Sequence, residues 1–408
     1  MKVAYIVGEF PSLSETFILN QISGIIKRGV SVKVLAIKPK KIRIIHDEFH
    51  NFIRPSYIIY RRKCGTNPWV KMWQVITFFL RNIMFFQSSW RIFQVGRRDQ
   101  SFNVYTFLTL AESLRKAGPI DVLHAQFGGH GLVAAKLKKM GIFNAKLVVS
   151  FRGGDTFILM QKNPKIYSEL YSVGDLFLPV SNSLREKHIH AGCDKEKIKV
   201  HYSGIDVTKF HYTVHQTPQI NDKIKLLMIC RLVEKKGIPI ALQAIKKLSD
   251  KGYHVELLII GNGPMQSSIK SLIGKLALEN NVILKNGCSH KSIIRELEKC
   301  HILLAPYKTA SNGDQEGIPN ILKEAMAIGL PVVSTYHSGV IELIKHNING
   351  FLAPENDTDI FTKHIEYLIG NIHTINKITL AARSYVEQKF NIEKLNDKLF
   401  DFYQKLQK

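Results

Sequence analysis

The chain has 408 residues, 45% of them hydrophobic and 22% charged, with a formal net charge of +24. That composition excludes a disordered or low-complexity protein, and the length exceeds one ordinary core, so two domains of about 200 residues each are expected. Five scattered cysteines without a CxxC pair exclude a disulfide framework and a structural zinc, and they fit a reduced, cytoplasmic setting.

The apolar start at 3–7 has only strand length, so no secretory leader is expected. Apolar stretches are broken by Arg or Asn well short of the ~18 residues of a membrane span. Residues 2–7 read as a strand, 15–27 as a helix and 31–37 as a strand. The loop from Gly8 to Phe17 joins the first two. Ser14, with Phe17 beyond it, marks a helix start, and Gly8 allows backbone to approach a ligand closely.

The charge is unevenly spread. Residues 51–98 hold nine Arg or Lys, no Asp or Glu, and all three tryptophans. Trp69, Trp73, Ile76 and Leu80 recur at helical spacing, with Lys71 and Arg81 at other angles. A basic, aromatic helix suits adsorption to an anionic membrane surface. Binding of single-stranded nucleic acid and plain packing on the domain use the same residue types. The membrane reading is taken here, and a nucleic-acid partner is not expected.

A helix is expected at 105–116, a strand at 121–124, a helix at 132–140, and strands at 146–150 and 176–180; residues 198–202 close the half. His124 stands at the expected end of its strand, as a core histidine or as a group turned toward a ligand. Arg152-Gly153-Gly154-Asp155 forms a polar loop at another strand end. Residues 211–222 lack any apolar period and read as a linker. A second alternating series follows, with strands at 224–230, 255–260, 282–285, 302–305 and 332–334 and a helical tail from 359. Strands separated by helices indicate parallel, doubly wound α/β sheets. Two such halves are expected to face each other across a cleft at the carboxyl ends of their strands.

Four motifs in this series carry chemistry. Glu316 and Glu324 flank Gly317-Ile318-Pro319-Asn320, a turn that runs into a helix stopped by Gly329. Pro319 suits the first helical position, and the unpaired N–H groups there make a seat for phosphate. Two acidic acceptors beside an anion seat suit a polyhydroxylated, phosphorylated ligand, hence a nucleotide sugar. Arg231 and Lys236, directly after the strand at 224–230, suit a clamp on a diphosphate. Gly261-Asn262-Gly263-Pro264 lacks the third glycine of a dinucleotide fingerprint and reads as a tight turn near the nucleotide. Asp357-Thr358-Asp359 precedes a helix and reads as an N-cap, so no metal and no cofactor are expected.

Together these residues resemble the retaining glycosyltransferases of family 4 and group 1, which have two Rossmann-like domains in the GT-B fold. Glu316 and Glu324 with Ala-Met-Ala-Ile-Gly-Leu-Pro-Val-Val-Ser-Thr resemble the family's donor signature, and Ser203-Gly204-Ile205-Asp206 with Phe210 its interdomain motif. The opening Phe10-Pro11 and Ser14-Glu15-Thr16-Phe17 is similar to bacterial members that build exopolysaccharide, colanic acid or O-antigen. A departure is Cys230, where the family usually has Gly.

The resemblance implies that Glu324 binds the ribose hydroxyls and Glu316 the donor sugar. It implies that Arg231 and Lys236 neutralise the diphosphate, helped by Gly317, Ile318, Pro319 and Asn320. His124 would face the transferred sugar, and Gly8, Gly204 and Gly263 would line the donor site. The expected organisation is an acceptor domain at 1–210, a linker at 211–222, a donor domain at 223–385 and a C-terminal helix at 386–408 packing back on the first domain. The function implied is transfer of a sugar from a nucleoside-diphosphate sugar to a lipid-linked oligosaccharide, at the inner face of the membrane. An epimerase of the same architecture and a basic nucleic-acid-binding protein are the alternatives.

Overall fold

The computed structural model describes residues 1–10, 16–39, 57–60, 69, 73, 76, 104–214 and 223–408. The expectations for Pro11–Glu15, for most of 51–98 and for the linker at 215–222 fall outside the described residues. These residues form two compact units: Met1–Pro179 with Arg185–His201 and Asn396–Lys408, and Val180–Leu184 with Tyr202–Leu395. Among the described residues no helix is long and apolar enough to cross a membrane.

The first unit holds β1 (Lys2–Phe10), β2 (Ser31–Pro39), β3 (Ile58–Tyr60), β4 (Val122–Gln126), β5 (Lys146–Phe151) and β6 (Leu176–Pro179), in the order β3-β2-β1-β4-β5-β6. Every pairing is parallel. Apolar residues alternate between two covered faces, as a parallel sheet requires. Ala4, Ile6, Leu123 and Val149 join one buried cluster; Val3, Tyr5, Val7 and Val148 join another, which also takes Leu399 and Tyr403 from the last helix.

The second unit repeats the scheme with β7 (Ile224–Ile229), β8 (Val255–Ile260), β9 (Val282–Lys285), β10 (Ile302–Ala305), β11 (Val332–Thr335) and β12 (Phe351–Ala353). Its order, β12-β11-β10-β7-β8-β9, is that of the first sheet read from the other edge. In each sheet the strand order reverses at one point, between β1 and β4 and between β7 and β10. Such switch points are where doubly wound sheets bind ligands.

Several expectations need correction. β1 does not end at Val7: Glu9 and Phe10 pair with Lys38 and Pro39 of β2, and Phe10 is buried, so Gly8 is a strand residue and not part of a loop. The first half closes at His201, with Ile198 bridged to Phe177, and not at Tyr202. Residues 202–210 group with the second unit because Ile205, Val207 and Phe210 pack in its core. Of the C-terminal segment, only Asn396–Lys408 belongs to the first unit. Pro319 (φ −65°, ψ 134°) stands at the N-cap, one place before the helix Asn320–Ile328.

Candidate active site

The second unit gathers most of the expected residues at the β7/β10 switch point. Past the end of β7 the chain turns through Cys230 and an exposed Arg231, then through the short turn Glu234–Lys236. Gly237 follows with φ 63°, and a Cβ there would lie 1.7 Å from the Pro306 carbonyl oxygen. Only glycine permits that approach, which presses the Lys236 turn against the end of β10. Lys236 Nζ thereby lies 4.9 Å from the centre of the Tyr307 ring and 2.5 Å from Glu316 Oε2.

Glu316 is the electrostatic centre of this group. Burial alone would raise its pKa, but the charges of Lys236 and Lys235 outweigh burial and hold the carboxyl below the usual range. Burial likewise disfavours the charged Lys236, yet Glu316 and Tyr307 keep its pKa raised. Lys235 also bonds Asp314 Oδ1 at 3.1 Å. Both partners of the Lys236–Glu316 pair are thus charged across the neutral range.

Sequence reasoning missed the support behind Glu316. Its backbone N–H donates to His337 Nε2 at 2.9 Å, which leaves Nδ1–H to donate to Glu355 Oε1 at 2.5 Å. The second Glu355 oxygen accepts from the Thr309 N–H at 2.8 Å. His337 is fully buried, so this relay fixes both its tautomer and the start of the Glu316 turn. The available signal was a histidine just past the strand β11, at a carboxyl edge.

Gly317, Ile318 and Pro319 are buried and Asn320 is half-buried. The Ile318 side chain belongs to the hydrophobic core, so only its backbone is available to a ligand. Asn320 Oδ1 accepts from Lys323 Nζ at 3.0 Å, and Lys323 also donates to the Ser203 carbonyl at 2.6 Å. One and a half turns into the helix, Glu324 is 9% exposed and meets His290 Nε2 at 3.2 Å. Gly263 packs on the Leu232 backbone and so shapes the turn that carries Arg231. Gly204 is buried, and a Cβ there would meet Ile392 Cα at 2.8 Å and the Phe390 carbonyl at 2.9 Å, so the position is set by close packing. Asp357 caps the following helix, accepting from the Ile360 N–H at 2.9 Å.

In the first unit the expectation for His124 is overturned. The residue lies mid-strand and fully buried, bonded to Tyr403 OH at 2.5 Å and to Ser150 Oγ at 2.8 Å. Burial, with Arg152 nearby, pushes its pKa well down, so it is a neutral core histidine. The histidine at the β1/β4 switch point is His130, in the first turn of the helix Gly128–Lys139. Its Nδ1 is bonded to the Gln126 carbonyl, and its Cε1 lies 3.6 Å from where a Cβ on Gly8 would stand. The Gly-Gly-His-Gly run after β4 was the signal for it. Arg152 is held by the end of β4, donating to Gln126 Oε1 at 2.9 Å and Gln21 Oε1 at 2.6 Å.

Comparison with known proteins bears on both units. The family model for glycosyl transferases group 1 matches residues 213–384, and the model for glycosyltransferase family 4 matches 14–209. The chain is 33% identical, over 96% of both chains, to the amylovoran biosynthesis glycosyltransferase AmsK of Erwinia amylovora. It is 30% identical, over the full length of both, to the putative colanic acid biosynthesis glycosyltransferase WcaL of Escherichia coli K12. Among solved structures, Anabaena HepE in complex with UDP and glucose superposes with a TM-score of 0.73 at 17% identity, covering 99% of this chain and 100% of that one. Sucrose-phosphate synthase from Thermosynechococcus elongatus gives 0.74 at 14%, covering 100% and 99%.

Proposed function

The chain belongs to the family 4 and group 1 glycosyltransferases of GT-B fold, and we propose that it moves a sugar from a nucleoside-diphosphate sugar to a lipid-linked oligosaccharide in cell-surface polysaccharide biosynthesis, with retention of configuration. The observation that carries the donor reading is the grouping of Lys236, Glu316 and the Asn320 helix start at one switch point. Glu324 stands further along the same helix. The relatives named for amylovoran and colanic acid support the pathway class, and the UDP- and glucose-bound neighbour supports the donor class.

In this reading the helix start, Arg231 and Lys236 bind the diphosphate, Glu316 takes hydroxyls of the donor sugar, and Glu324 takes those of the ribose. Breaking the sugar–phosphate bond puts negative charge on the leaving diphosphate, and preorganised cations lower the barrier by meeting it there. The ammonium of Lys236 has three donors, of which the bond to Glu316 takes one. Glu316 thus serves twice, as an acceptor for sugar hydroxyls and as the group that aims Lys236. The switch point of the first unit, with His130, is assigned to the acceptor, and Gly8 beside it keeps its place toward the donor phosphates.

A peripheral position at the inner membrane face completes the proposal. Trp69, Trp73 and Ile76 are helical, spaced for one face, and 73%, 64% and 42% exposed. Exposed tryptophans within a segment rich in Arg and Lys suit an anionic interface. The test is turnover of UDP-, GDP- and ADP-sugars with a lipid-linked acceptor fraction, reading the new linkage by NMR. A product of retained configuration is expected; an inverted one contradicts the retaining mechanism, and donor turnover without acceptor contradicts transfer.

A further inference from the structure

Glu324 has two oxygens, and a second residue engages one of them. His290 opens the helix His290–Lys299, whose N-cap Ser289 accepts from the Ser292 N–H. Its Nε2 stands 3.2 Å from Glu324 Oε1. The imidazole also meets the Phe210 ring edge to face, with centres 6.0 Å apart and planes at 88°. Phe210 is buried, so the ring is oriented from one side by the core and from the other by the carboxylate. An arginine here would engage both oxygens in a fork; a histidine supplies a single donor.

We propose that His290 is a positioning residue of the donor site: it holds Oε1 of Glu324 and leaves Oε2 to accept from the vicinal hydroxyls of the nucleoside ribose. The inference rests on the donor-site reading above and adds to it a residue outside the two-glutamate motif. The bond to Glu324 raises the pKa of the imidazole, against burial and against the nearby charge of Lys209. The pair is therefore held more strongly than an exposed neutral contact.

The experiment is titration calorimetry of the full chain with UDP, GDP and ADP, carrying forward the tightest binder, for wild type, His290→Ala, His290→Gln, Glu324→Gln and the His290→Ala/Glu324→Gln double variant. A lost hydrogen bond to a charged group predicts affinity about 10-fold weaker in His290→Ala. His290→Gln keeps a donor at similar reach and should bind within about threefold of wild type. The double variant should bind no more weakly than Glu324→Gln, because the two residues act as one unit. The donor KM should rise in His290→Ala while kcat stays within about twofold, a split that a general loss of structure would not give. Wild-type affinity in His290→Ala, or additive losses in the double variant, overturns the inference while leaving a weakened Glu324→Gln as support for the donor site. Undiminished binding by Glu324→Gln overturns the donor-site reading and the inference with it. Thermal midpoints of the ligand-free variants confirm that each is folded.

Discussion

Lys236 and Glu316 are 80 positions apart in the chain, and their side chains meet at 2.5 Å beside the ring of Tyr307. The contact joins the end of β7 to the turn before the two-glutamate helix. It keeps both groups ionised in a largely buried place, where an unpartnered charge would be costly.

Removing one partner therefore has two separable effects. Lys236→Met should lower the rate by roughly 10²–10³, as expected for one lost group on a developing charge. It should also destabilise the fold by on the order of 3 kcal/mol, because Glu316 loses its hydrogen-bonded partner and keeps only the more distant Lys235 at 3.9 Å. Lys236→Met combined with Glu316→Gln should recover most of the stability and none of the activity. Urea unfolding alongside steady-state kinetics separates the two; full activity in Lys236→Met would remove the residue from the site.

The relay through His337 predicts a milder phenotype. His337→Ala leaves the Glu316 N–H and one Glu355 oxygen without their partner. A loss of about 2 kcal/mol in stability is expected, together with a fall in kcat, because the Glu316 turn is no longer fixed. Unfolding and kinetics unchanged from wild type would show that the turn is held by its neighbours alone.

The His290–Glu324 pair makes a prediction for pH. The folded-state pKa of His290 is raised above its ordinary value of 6.5. Its contribution to stability is therefore fully present below about pH 6.5 and is lost as pH rises through the folded-state value. The thermal midpoint of wild type, relative to that of His290→Gln, should decline across that window and be flat on either side. A relative rise with pH would have the wrong sign.

How much of this was legible in the sequence depended on distance along the chain. The strands of the second unit are short apolar runs bounded by glycine, proline or polar turns, and β8, β9 and β10 lie where periodicity placed them. Glu316 and Glu324 were readable because one short stretch of sequence carries both, Glu316 in the turn before the helix Asn320–Ile328 and Glu324 inside it. The helices Gly154–Lys162, Ser168–Val173 and Asn182–His190 were missed because they are short or largely polar and show little apolar period. His290 and His337 stand 34 and 21 positions from their glutamates, so only the fold pairs them. His124 and His130 differ by one strand end. Pairing with β1 and β5 continues past His124, so the strand keeps that ring inside.

For the membrane, Trp69→Ser/Trp73→Ser should weaken partitioning onto phosphatidylglycerol vesicles about 10-fold or more, while leaving nucleotide affinity intact. Two indoles are among the strongest interfacial contacts available to such a segment. Equal partitioning of variant and wild type would mean that the aromatics serve another purpose.

The central claim is that the second unit binds a nucleoside diphosphate through Glu324. Its most direct test is the thermal midpoint of wild type and Glu324→Ala in the presence of UDP, GDP, ADP or CMP. A nucleotide at 100 times its dissociation constant stabilises the folded state by about 2.7 kcal/mol. One diphosphate should raise the wild-type midpoint and leave that of Glu324→Ala unmoved. An equal rise in both proteins would contradict it.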